Sequence, residues 1–306
     1  MGAQDELKRW HVIPWWSAGT GLGGIVALVL LQPASVSFWR DAVFEKAPFI
    51  YPDRGQAYAD IVVALVGLSL LAAVVHVMQA FRIRRSKSIA PMGEPLSVSL
   101  EFTSQVLISP LLFALYLSGS AALRDSLESR WSGYNRATYT GVVIHTAMDL
   151  LGTVLFVALK KEPLLFVHHA LTLTVFGTAA LSGFGHHYCA LGGLVELTNL
   201  FTFGIASGPA VGIAPGSMLH TTCGALLWLS FTVLRVIIHP YNLFSYASEA
   251  YQHPELTIMP HPPSLRYTGG PAYVAIFLMS MLWYYKITKG MLKALGINSA
   301  AGAKQD

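Results

Sequence analysis

Two adjacent histidines, His168 and His169, lie inside an apolar run of the sequence at residues 164–181. An ionisable side chain is costly to place in hydrocarbon, so within a membrane span it usually faces a cavity, a bundle interior or a functional site. Neighbouring residues of a helix are rotated by about 100°, so one imidazole could face a cavity while the other packs against a neighbouring helix. The pair alone leaves a structural and a chemical role equally open.

Another apolar run, at residues 138–159, carries His145 and Asp149. Because residues four apart lie on one face of a helix, these two side chains project together. A carboxylate at this spacing can fix the tautomer of an imidazole and raise its basicity. The alternative is a polar pair that joins two helices in lipid. Thr172 lies one turn after the histidine pair and is close enough to orient either ring.

Glu196 and Asn199 share a face of the next apolar run, at residues 188–207. A carboxylate in the middle of a span is expensive unless it is paired, protonated or hydrated. Glu196 could orient a histidine, take its proton, or pair with Arg235 of the following run. Arg235 lies near the end of its own run, so it could instead extend to the lipid headgroups.

Metal and nucleotide chemistry find little support in the residue spacing. The sequence contains a second His-His dipeptide, at residues 186–187. The three residues before each dipeptide, at 165–167 and 183–185, include no further histidine, so we predict no metal site. The sequence also lacks a nucleophile elbow and a phosphate-binding loop. We therefore expect no bound cofactor.

The composition indicates a polytopic membrane protein. Only 12% of the 306 residues are charged, whereas soluble proteins carry about 25%. The basic residues form short clusters between apolar runs, which is the positive-inside pattern rather than a nucleic-acid-binding stripe. We therefore expect no nucleic-acid partner.

The apolar runs predict an all-α membrane protein, a polytopic helical bundle of about eight transmembrane helices. With the N-terminus in the cytosol, eight spans place the basic clusters at 82–87, 160–161 and 286–293 on the cytosolic side. Both termini are then cytosolic. The predicted spans are residues 15–31, 58–81, 96–118, 138–159, 164–181, 188–207, 218–238 and 271–292.

Five motifs occur in an order that resembles the TLC-domain family, which includes the ceramide synthases and the translocating-chain-associated membrane proteins. They are HTAMDLLGTVLF at 145–156, FVHHALTL at 166–173, GLVELTNLF at 193–201, FTVLRVIIHP at 231–240 and WYYKITKG at 283–290. The sequence is most similar to the small TLC-domain-containing proteins. The resemblance implies an N-terminal segment with two spans at 1–95, a six-span TLC domain at 96–295 and a cytosolic tail at 296–306.

The same resemblance implies a role in lipid metabolism or homeostasis, in the endoplasmic reticulum, with membrane lipids as partners. In a ceramide-synthase-like enzyme, acyl-CoA would be the co-substrate. His168, His169, Asp149 and Glu196 would then be catalytic, and His145, Thr172, Asn199 and Arg235 would bind substrate or lipid. The helix with Glu196 lacks the His-Asp dipeptide of ceramide synthases.

Two functions therefore stay open. One is acyl transfer, and the other is non-catalytic binding or sensing of lipids, with a homodimer as an option for either. A proton-coupled transporter is less well supported, because no repeated half with matching broken helices is visible.

Overall fold

The computed structural model describes residues 54–85, 95–158, 163–258 and 263–295. All the regular structure in these ranges is helical, which confirms the all-α prediction. The predicted span at 15–31 and the tail at 296–306 lie outside the described residues. The helices are α1 Arg54–Arg85, α2 Pro95–Glu101, α3 Ser109–Ala122, α4 Leu127–Ser132, α5 Arg136–Ala158, α6 Pro163–Ser182, α7 His186–Gly193, α8 Leu197–Ala206, α9 Met218–Phe231, α10 His239–Gln252 and α11 Pro263–Ala294.

Several of these helices join end to end, and the described part of the chain contains five stretches long and apolar enough to cross a membrane. They correspond to the second, third, fifth, sixth and seventh predicted spans. Helices α5 and α11 have 23 and 32 residues. At 1.5 Å per residue they measure about 35 and 48 Å, enough for a hydrocarbon core of about 30 Å. The five stretches are Gly55–Met78, Val98–Ala122, Pro163–Ser182, His186–Ala206 and Met218–Gln252.

Two of the long helices contain a π-helical segment, at Phe102–Ile108 and at Thr232–Ile238. A proline, Pro110 or Pro240, follows each segment as its second residue. Proline has no N–H to donate to the carbonyl four residues earlier. The residue before each proline instead donates its N–H to the carbonyl five residues earlier. Such π-bulges often occur at functional sites, and both segments border the cavity described below.

Helix α5 lies at the centre of the bundle and packs against α1, α3, α6 and α7. Its residues Val142, Ala147 and Met148 belong to the main cluster of buried apolar side chains. The outer face of α1 is also apolar, with Val63 and Leu70 more than 60% exposed, as suits contact with lipid. Polar side chains on α5 are therefore directed toward the interior of the protein.

The carboxylate of Glu249 holds the short helix α4 against α7 and α10. Its Oε1 lies 2.8 Å from both Nε and Nη2 of Arg130. Its Oε2 accepts hydrogen bonds from the indole of Trp131, at 2.8 Å, and from the hydroxyl of Tyr188. The Trp131 ring is buried and stacks on Tyr246, with the ring centroids 4.9 Å apart. One carboxylate thus connects α4, α7 and α10.

We predict that Glu249→Gln lowers the free energy of unfolding by about 1–3 kcal/mol, because it removes the charge that these three donors share. The measurement is thermal or denaturant unfolding of the purified protein in detergent. Glu255→Gln is the control, since Glu255 is an exposed carboxylate just beyond α10, and it should change stability by less than about 0.5 kcal/mol. Equal stability of the two variants would show that the Glu249 carboxylate does not hold α4, α7 and α10 together.

Candidate functional site

A cavity of about 470 Å³ lies among α2, α5, α6, α8, α9 and α11. Its volume is in the range of about 300–1,000 Å³ that ligand pockets occupy. Its wall is mostly apolar, with contributions from Leu165, Leu227, Phe231 and Trp283. Six of the eight predicted site residues line this single cavity: Asp149, His168, His169, Glu196, Asn199 and Arg235.

Asp149 and His169 form a close polar pair in the cavity wall. Oδ1 of Asp149 lies 2.8 Å from Nδ1 of His169. A carboxylate accepts, so the proton of the neutral imidazole is on Nδ1 and the lone pair is on Nε2. Gly152 makes room for the ring, because a Cβ there would lie 3.3 Å from two of its atoms. The pair can therefore supply a basic or nucleophilic nitrogen.

His145 lies behind the cavity wall rather than in it. Its Nε2 is 3.6 Å from Oδ2 of Asp149 and 3.7 Å from Oε1 of Glu196. Its Nδ1 is 3.0 Å from the hydroxyl of Tyr116. The sequence predicted a substrate-binding role for His145, whereas this position lets it act only through the two carboxylates that it separates.

Tyr116, which the sequence analysis did not single out, is held in a slot between two glycines. A Cβ at Gly141 would lie 2.8 Å from the Tyr116 ring, and a Cβ at Gly193 would overlap the ring. The ring is fully buried, and its position brings the hydroxyl to His145. The glycines in two apolar helices were the only signal in the sequence that another group packs closely there. The spacing of residues could not show that this group is the Tyr116 ring.

Glu196 is held by neutral donors. Its Oε2 accepts hydrogen bonds from Nδ2 of Asn199, at 2.8 Å, and from the hydroxyl of Ser109, at 3.2 Å. Asn199 was predicted to bind substrate. In the structure it lines the cavity and also orients this carboxylate.

His168 and Thr172 have contacts that differ from those of His169. The His168 ring packs edge-on against Trp283, with centroids 5.2 Å apart, and its buried Nδ1 has no hydrogen-bond partner among the described residues. The Thr172 hydroxyl donates to the main-chain carbonyls of His168 and His169, at 3.0 and 3.1 Å. It therefore does not orient the rings, because a helical threonine reaches the carbonyls of the preceding turn more easily.

Arg235 takes neither of the two structural roles that the sequence left open, and it lines the cavity, where a residue that binds substrate or lipid would lie. The side chain is buried rather than extended to headgroups, with 3% of the residue exposed. Within the described ranges no carboxylate lies within 4.0 Å of the guanidinium, so it forms no direct ion pair with Glu196. Its Nε donates to Thr198 at 3.3 Å and its Nη1 to Ser280 at 3.1 Å.

Among the residues that the structure describes, no group of three or more His, Cys, Asp or Glu side chains is arranged to hold a metal ion. His169, Asp149, His145 and Glu196 instead form one chain of hydrogen-bond and longer charge contacts.

The long apolar helices, with a cavity between them that carries buried charged side chains, define an integral multi-pass membrane protein. Residues 140–289 match the sequence profile of the TLC domain, TRAM_LAG1_CLN8. The chain therefore carries a TLC domain of the TRAM/LAG1/CLN8 family, as the motifs predicted, and all eight predicted site residues lie in the matched range. Comparisons with curated proteins and with solved structures gave no match.

We predict that Gly193→Ala destabilises the protein by about 1–3 kcal/mol, because the new methyl group displaces the Tyr116 ring from its slot. The control is Gly67→Ala on the exposed face of α1, where a Cβ meets nothing within 4 Å. That control should be neutral, or stabilising by up to about 1 kcal/mol. The measurement is unfolding of the two variants in detergent. Equal stability changes would show that Gly193 does not make room for the Tyr116 ring.

Proposed function

We propose that the protein is an enzyme of lipid metabolism that transfers an acyl group from acyl-CoA to a lipid acceptor. The observation that carries the proposal is the Asp149–His169 contact of 2.8 Å in the wall of an apolar cavity. An oriented imidazole beside a space for an acyl chain is the arrangement that nucleophilic acyl transfer requires.

In the first step, Nε2 of His169 attacks the thioester carbonyl carbon. The carbon–nitrogen bond forms as the carbon–sulfur bond breaks, and the sulfur leaves with the electron pair as the CoA thiolate. Asp149 stabilises the positive charge that develops on the imidazole ring. Because Asp149 is almost fully buried, its charge acts with little screening by water.

In the second step, an amine or hydroxyl of the acceptor attacks the acyl carbon, and His169 is released unchanged. The acceptor loses one proton, which we assign to Glu196, another carboxylate that lines the cavity. His145 lies between Glu196 and Asp149, so it can share a proton between them. These roles retain His169, Asp149 and Glu196 as catalytic and make His145 and Asn199 positioning residues.

The orientation of the protein follows from where acyl-CoA is found. We place the end of the bundle where α6 begins and α11 ends on the cytosolic side of the endoplasmic reticulum. Lys286, near the end of α11, lines the cavity there and could attract the phosphates of CoA. Two further lysines on that side, Lys160 and Lys161, lie outside the described residues. The compartment itself rests on the family resemblance.

The second candidate function is binding or sensing of lipids without turnover. The observation that favours it is the surface of the cavity, most of which is apolar, as in many ligand pockets. In that case the Asp149–His169 pair would only orient a lipid headgroup.

We predict that the purified protein gains the mass of one acyl group after exposure to a long-chain acyl-CoA. His169→Ala should abolish the gain, and Asp149→Asn should slow it by about 10²–10⁴-fold, since the imidazole loses its charged partner. His168→Ala is the matched control, because that ring contacts Trp283 and, among the described residues, no carboxylate, and it should still be acylated. The measurement is intact-protein mass spectrometry over time.

A mass gain that persists in His169→Ala would show that another residue carries the acyl group. No gain in the wild type, together with lipid that co-purifies without a covalent bond, would favour the binding function.

A further inference from the structure

Arg235 is a buried cation that the acyl-transfer steps do not use. The structure gives its guanidinium two neutral hydroxyl acceptors, on Thr198 and Ser280, and the face of the Phe231 ring at 5.0 Å. Burial of a charge is expensive unless the charge is paired and hydrogen-bonded. Within the described part of the chain no carboxylate lies within 4.0 Å of this guanidinium. Its positive charge therefore has no direct counter-ion among these residues.

Glu196 lies on the same cavity, but its Oε2 accepts from Asn199 and Ser109. The negative charge of Glu196 lowers the free-energy cost of burying the guanidinium, although the two groups are not in contact. A guanidinium has five N–H donors, and two of these donors are accounted for by Thr198 and Ser280. Because Arg235 lines the cavity, an acceptor inside the cavity can approach the remaining donors.

The position of Arg235 along the cavity restricts what that acceptor can be. Its partner Ser280 precedes the exposed Lys286 by six residues of α11, about 9 Å along the helix axis. On α11, Trp283 lies between Ser280 and Lys286 and lines the cavity. Two further apolar residues of the lining, Leu227 and Phe231, lie near Arg235 in sequence. Most of the cavity surface is apolar, so an amphiphile would cover that surface with its chain, whereas a small ion would leave it bare.

We propose that Arg235 binds the terminal oxyanion of a single-chain lipid whose acyl chain occupies the rest of the cavity. Carboxylates and phosphates match the planar fork of a guanidinium and accept two parallel hydrogen bonds from it. Two sources share this chemistry, the carboxylate of a free fatty acid and the phosphate of a lysophospholipid. The thioester of acyl-CoA is neutral, so the acyl-transfer step does not require this anion site, although both would use the same cavity.

The first experiment uses the full-length protein in detergent and compares three ligands that have the same sixteen-carbon chain. Palmitate, palmitoyl lysophosphatidate and hexadecanol compete with radiolabelled palmitate at mildly alkaline pH. At least one of the two anions should bind about tenfold or more tightly than the alcohol, since charged hydrogen bonds exceed neutral ones by about that factor. The tighter anion identifies the source. Equal binding of all three ligands would overturn the proposal.

The second experiment tests the residue with two substitutions that remove the same charge. Arg235→Gln should reduce the affinity for the preferred anion to that of hexadecanol and leave the affinity for hexadecanol unchanged, which also shows that the variant is folded. Lys289→Gln removes an exposed charge of α11 that does not line the cavity and should change anion affinity by less than about threefold. A loss of anion affinity in Lys289→Gln with none in Arg235→Gln would overturn the proposal.

The outcomes remain separable from those of the acylation assay. A protein that prefers an anion through Arg235 but never gains an acyl group fails only as an acyltransferase. A protein that acylates His169 but binds palmitate and hexadecanol equally fails only as an anion binder.

Discussion

The free-energy cost of a carboxylate inside a membrane protein constrains how this bundle can be built. Asp149 and Glu196 are each less than 5% exposed, and a buried charge that loses its partner costs about 3–5 kcal/mol. His169 and His145 contact Asp149, and Asn199 and Ser109 donate to Glu196. These partners come from four different helical stretches. The helices must therefore pack in one arrangement for both charges to be compensated.

The sequence predicted which polar side chains share a face of one helix. It predicted only some of the contacts that these side chains make between helices. The four-residue spacing of His145 and Asp149 placed both on the inner face of α5, where the structure has them. The same reasoning could not show which histidine of the pair would reach Asp149. That choice depends on the rotation of α6 against α5 and on the space above Gly152. Helical periodicity fixes neither of them.

Arg235 shows a second limit of sequence reasoning. A position near the end of an apolar run suggested an interfacial residue, because long basic side chains usually extend to water. In the structure the helix continues without interruption to Gln252, so the end of the apolar run is not the end of the helix. The more polar composition of α10 hid this continuation. Similarly, the roles of Tyr116 and Ser280 depend on tertiary packing that spacing does not encode.

The two π-helical segments have a consequence for how the sequence can change over time. Each contains one residue more than an α-helix needs, so all the residues beyond it are rotated by about 100° relative to an uninterrupted helix. Pro110 and Pro240 maintain this offset. Deletion of a single residue from either segment would restore α-helical geometry and turn one half of the helix relative to the other. Insertions and deletions are therefore tolerated in the loops far more readily than at these two places in the membrane.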